Sequence, residues 1–190
     1  MTRRRFLGGM AATLGLAGLL TRSSHASVAR AVSLGELLVD SRHVVLGTAV
    51  DSFARWERVG ERSCIVTYSV FHVEEPLDGR APDAPEVMIR TLGGTVGDVG
   101  QIFHGEAVVA IRRRAALFIR DVAPEVYAVT AMAQGHYAVD PDPKGIPRLS
   151  AAFGSVALVP GPAAAMNQMH GRTVPEACDL VARERARGTR

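Results

Sequence analysis

Beyond residue 32 the chain alternates short runs of branched and aromatic residues with clusters of glycine, proline and acidic residues. Helical spacing appears only near its two ends. Residues 33–39 predict a short helix: Ser33 is placed to cap the free amides, Glu36 stands at the capping-box position, and Leu34, Leu37 and Leu38 share a face. Residues 43–50 predict a strand, with Gly47 as a bend or bulge. Residues 62–75 carry the strongest strand signal, a proline-free run from Ile65 to Val73, and end in a turn at 74–79. Trp56, among the charged Arg55, Glu57 and Arg58, is assigned to the turn between these two strands. Residues 86–91 alternate, with Val87 and Ile89 on one face.

Residues 92–105 hold Gly93, Gly94, Gly97, Gly100 and Gly105 and predict a loop or broken hairpin. Residues 115–120 and 125–131 then predict an antiparallel pair about Ala123 and Pro124. A strand at 136–139, a surface turn at 140–145, one late strand within 149–160 and a linker at 161–171 follow. Thr173 caps a final helix reaching about Arg187, with Pro175 in its first turn and Glu176 as the capping-box partner. The expected fold is all-β, a small barrel of five to seven strands, closed or partly closed, with short terminal helices; a sandwich is the alternative. The barrel is expected over 32–160, and the linker and packed C-terminal helix over 161–190.

Residues 1–31 have the order of an export signal: a basic head, an apolar stretch from Gly8 to Leu20, and small-residue exits at 24–26 and 29–31. The stretch is short and glycine-rich for a membrane span, so no stable span is expected after cleavage. Cleavage after Ala31 is preferred to cleavage after Ala26. Removing these 31 residues takes away five of the 22 basic residues and none of the 19 acidic ones, which turns a net charge of +3 into −2. That balance argues against a nucleic-acid partner.

The chemistry-bearing residues form no strong motif. The glycine segment lacks the Gly-Lys-Ser/Thr and the following helix that a phosphate loop requires, so it is a turn-rich loop and a candidate binding rim. Gly93, Gly94, Asp98 and Gln101, with Trp56, are the candidate contact residues. The histidines fall at no familiar ligand spacing; His72, His104 and His136 are weak metal candidates that strand pairing would have to gather. Cys64 and Cys178 are the only cysteines, and a bridge between them would staple the last helix to the barrel in an oxidising compartment. No catalytic group stands out and no cofactor is implied.

Two resemblances add to this reading. Arg3, Arg4, Phe6 and Leu7 in the basic head are similar to a twin-arginine signal, which implies export by the twin-arginine translocase to the periplasm or outside. Residues 33–50, 66–75, 87–98 and 117–119, with Ala133-Gln134-Gly135, resemble a group of uncharacterised exported bacterial β-rich proteins. That group is distantly similar to the OB-type and netrin-like domains, which implies an OB-like barrel. The netrin-like inhibitors of proteases use an amino-terminal cysteine, and none occurs here between residue 31 and Cys64. The expected function is that of a non-catalytic binding domain for a protein or envelope component. A histidine- or metal-dependent hydrolase and a purely structural envelope protein are the alternatives.

Overall fold

The computed structural model describes residues 28–151, 157–159, 161 and 164–188. The basic head of the export signal, with Arg3, Arg4, Phe6 and Leu7, lies outside the described residues. The elements in order are β1 (Val28–Arg30), α1 (Leu34–Asp40), β2 (His43–Val59), β3 (Arg62–Pro76), β4 (Glu86–Leu92), β5 (Gly94–Val96) and β6 (Val99–Gln101). Then come β7 (Arg114–Ala123), β8 (Val126–Val129), a 3-10 turn (Met132–Gly135), β9 (His136–Pro141), β10 (Pro147–Ala151), β11 (Ala157–Val159), α2 (Ala165–Met169) and α3 (Val174–Gly188).

The chain is mainly β. Its main sheet runs β10-β9-β7-β2-β3-β4-β8, and β8 pairs again with β7. The five strands β2, β3, β4, β8 and β7 therefore form a cyclic path, in which β4 and β8 are parallel and the other neighbours antiparallel. The parallel seam is short, from Met88 opposite Val126 to Arg90 opposite Ala128, so the barrel is only partly closed. β9 and β10 extend the wall beyond β7.

Alternation sets the barrel interior. Val45, Ala49, Phe71, Val87, Ile89, Leu117, Ile119 and Val129 point inward and form one buried cluster. The opposite side of the β2–β7 wall is covered as well. There Val44, Leu46, Ala116, Phe118 and Tyr137 meet Leu34, Leu37 and Leu38 of α1, Met169 of α2, and Ala177 and Val181 of α3. Burial on both faces explains why residues 44–46 and 115–119 are continuously apolar rather than alternating.

Both helix caps form. The Ser33 hydroxyl accepts from the Glu36 amide, and the Glu36 carboxylate accepts from the Ser33 amide at 2.7 Å. Thr173 and Glu176 repeat the exchange at α3. Gly47 sits at a register shift between β2 and β3, where a Cβ would lie 2.0 Å from the His72 carbonyl oxygen. No side chain fits there.

Several expectations are corrected. β2 continues to Val59, so Trp56 lies within a strand opposite Ile65, and the turn falls at Gly60-Glu61. The linker at 161–171 contains the short helix α2, and two strands, β10 and β11, stand where one was expected. Val28–Arg30, at the end of the segment expected to be an export signal, pairs in parallel with β11, and Ala31 is buried.

Cys64 and Cys178 are both free, which removes the expected bridge. The Cys178 thiol donates to the Leu77 carbonyl at 3.5 Å, just past the end of β3. Cys64 lies near the other end of that strand, on the order of 40 Å away at the usual rise per residue. A disulfide needs Cα atoms within about 7 Å.

Candidate functional site

The hairpin β2–β3 outruns the barrel, and its distal half carries the inward-facing register outward: Ala54 opposite Thr67, Trp56 opposite Ile65. The small hairpin β5–β6 folds back over this face. Gly93 donates its amide to the Ile65 carbonyl at 2.8 Å, the Thr67 hydroxyl donates to the Gly93 carbonyl at 2.7 Å, and the Ile65 amide donates to Gln101 Oε1 at 2.6 Å. Gly94, with φ +128, sits so close that a Cβ would meet the Thr67 hydroxyl at 2.3 Å and the Ala54 Cβ at 3.3 Å. The glycine pair thus permits close approach of this backbone to β2 and β3.

Beyond this hairpin, residues 102–109 close over the open end of the barrel. Together they line an open cavity of about 450 Å³ whose walls include Thr67, Thr91, Gly94, Phe103, Glu106 and Val109. Ala107 packs into the barrel cluster and anchors the segment. Ile102 and Val108 also line the cavity, yet they are 84% and 77% exposed, leaving two large apolar side chains at its rim. Barrel mouths are a common place for ligand cavities.

Glu106 is the one ionisable residue among those lining the cavity. Its carboxylate accepts from the Ala107 amide at 3.1 Å and is bonded to the backbone of Leu92. Burial nevertheless pushes its pKa above the ordinary carboxylate value, outweighing those bonds and the cations Arg90 and Arg120.

The outer face of the β2–β3 arm is braced separately. Phe53 stacks on Tyr68 with ring centres 5.3 Å apart, and the Arg55 guanidinium lies over the Tyr68 ring, 4.7 Å from its centre. The Tyr68 hydroxyl donates to Glu57, whose other oxygen takes two bonds from Arg90, at 2.7 and 3.1 Å. The Tyr68 bond is the main reason why the Glu57 carboxyl is held below its usual range.

Of the residues singled out in the sequence, Gly93, Gly94 and Gln101 line the cavity. Trp56, 48% exposed, flanks them from across Ile65. Asp98 lies at the exposed tip of β5–β6, away from the cavity wall. The three histidines stay apart: His72 on β3 faces Glu86 at 4.0 Å, His104 is exposed in the covering segment, and His136 is buried on β9 opposite Leu117. Burial lowers the pKa of His136 and favours the neutral ring. Among the described residues no three metal-binding side chains converge, and no helix is long and apolar enough to cross a membrane.

Ile102, Phe103, Glu106, Val108 and Val109 complete the site. Their signal was an apolar pair and an apolar triplet interrupting a loop without period. Family models, curated proteins and solved structures give no match to the chain. Function must be argued from this geometry.

Proposed function

We propose that the chain is an exported, non-catalytic binding domain for a protein or cell-envelope component, which it engages at the barrel mouth. The exposed apolar pair Ile102 and Val108 at the rim of the cavity carries this reading. Apolar side chains left exposed together around a concave site mark a surface that a partner or ligand covers. Trp56 adds a rigid aromatic beside the same rim, on an arm braced by the Phe53, Tyr68, Glu57 and Arg90 network. The twin-arginine-like head and the −2 charge of residues 32–190 support export, in the periplasm or beyond, and a partner other than nucleic acid.

The test compares wild type with Trp56→Ala and Ile102→Asp. Each is titrated against envelope fractions and against purified cell wall. Both substitutions should weaken association more than tenfold, about 1.4 kcal/mol, while the circular-dichroism spectrum stays the same. Equal affinities for all three proteins would overturn the proposal.

A further inference from the structure

Resting on the reading of the barrel mouth as a binding site, we propose that its cavity takes a primary ammonium group on an aliphatic stem, with Glu106 as the counter-ion. Three observations converge on that chemistry. First, the cavity is lined by one carboxyl group and by no lysine, arginine or histidine, so the charge it lacks is positive. Second, the polar side chains beside Glu106 are few, and two are already spent: the Thr67 hydroxyl on the Gly93 carbonyl, and Gln101 Oε1 on the Ile65 amide. The hydroxyls of Thr91 and Thr95 remain as neutral acceptors in the same wall. A ligand rich in hydroxyls, such as a sugar, would leave most of its polar groups unpaired, whereas an ammonium presents a single polar end. Third, Ile102, Phe103, Val108 and Val109 wall the way from rim to carboxyl, which suits a stem of several methylenes.

A carboxylate disfavoured by burial gains from a cation brought to it, because the pair forms partly out of water. Arg90 and Arg120 offset that burial only in part; neither lines the cavity, and the Arg90 guanidinium is held by Glu57 on the outer face of the sheet.

Two sources offer this chemistry: a free alkyl diamine and a lysine side chain on a partner. Calorimetric titration of the full-length protein with n-pentylamine and with 1-pentanol tests the shared chemistry without any partner. The amine should bind saturably and at least tenfold more tightly than the alcohol, and Glu106→Gln should abolish that preference. Equal binding of amine and alcohol by wild type, or no binding of either, would overturn the proposal and needs no variant to read. Comparing cadaverine with Nα-acetyl-lysine methylamide then separates the sources, tighter binding of one or the other assigning the site to a free diamine or to a partner's lysine. Retained amine preference with partner association unaffected by Trp56→Ala would leave this site standing and remove the surface reading. Loss of partner association in that variant without any amine preference would do the reverse.

Discussion

Arg185, near the end of α3, donates two hydrogen bonds to Asp78, 107 residues earlier in the turn after β3, at 2.8 and 3.3 Å. The same guanidinium reaches the carbonyls of Leu38 and Ser41 at the end of α1. Asp78 is fully covered and Arg185 nearly so. One side chain thereby ties α3, α1 and the barrel together, which is the staple that the sequence assigned to the cysteines. Removing one partner leaves the other charge buried. Arg185→Leu should therefore cost about 3 kcal/mol, seen as a lowered urea midpoint with an unchanged slope. A loss below about 1 kcal/mol would show that the pair is a bystander.

The cysteines give the complementary expectation. Intact mass should be the same before and after reduction, and both thiols should be alkylated once the protein is unfolded. In the folded protein Cys178 should react slowly near neutral pH, since burial and then Glu75, Asp179 and Asp78 all push its thiol pKa up. A mass 2 Da lower before reduction would mean that the described register does not persist in solution.

Gly94 is the position where the cavity is most open to challenge. Gly94→Ala places a methyl against Thr67 and a non-glycine residue at positive φ. A loss of about 2–3 kcal/mol is expected, with the β5–β6 hairpin displaced and probe binding in the cavity weakened. Gly97→Ala is the control, since it has positive φ but open space around it, and its cost should be smaller. Equal losses would assign the effect to backbone strain alone.

Two carboxyls give opposite pH limbs. Glu36 is brought down to about 2, chiefly by its bond to Arg30 and then by the Ser33 amide. Its contribution is present above about 4.5 and is lost as pH falls toward about 2. Glu106 is raised, so the folded state holds its proton longer than the unfolded chain does. Stability therefore falls as pH rises from the ordinary carboxylate value through the raised one. In melting curves against pH, Glu36→Gln should flatten the acid limb, and Glu106→Gln should remove the decline on the other side. An unchanged profile in either variant would remove that group from the pH dependence.

The proposed export gives a further expectation, at the amino terminus. β1 pairs with β11, and Arg30 bonds to Glu36 on α1. Cleavage after Ala31 would discard both contacts, whereas cleavage after Ala26 keeps them. Mass spectrometry of exported material should find Ser27 first. A chain starting at Val32 would show that β1 is dispensable.

What was legible in the sequence was local. The caps at Ser33 and Thr173 join neighbours three residues apart, and the bulge at Gly47 needs only a missing side chain. Alternation at Val87 and Ile89 found the inner face because one side of β4 meets the core and the other does not. The same rule failed at Trp56. There the hairpin has left the barrel, both faces are partly wet, and charged and aromatic residues follow one another without period. The Glu106 cavity was hidden for another reason: its walls come from β3, β4, the β5–β6 hairpin and a covering segment of irregular backbone, and they meet only once the strand register is set. Likewise, nothing near Asp78 or Arg185 distinguishes them until α3 is docked.

β2 is shared by two ladders, and the difference in reach between them orders the assembly of the chain. Its pairing with β3 closes a two-residue turn, a search completed in microseconds for an isolated hairpin. Its pairing with β7 requires His43 to find Ile119 across everything between them. The first event supplies a template that is apolar along one edge and unsatisfied, and the second must arrive before another chain takes that edge. The slow step of folding and the moment of greatest exposure to aggregation therefore coincide at the β2 edge, with Val44, Val45 and Leu46 as the residues that β7 has to cover.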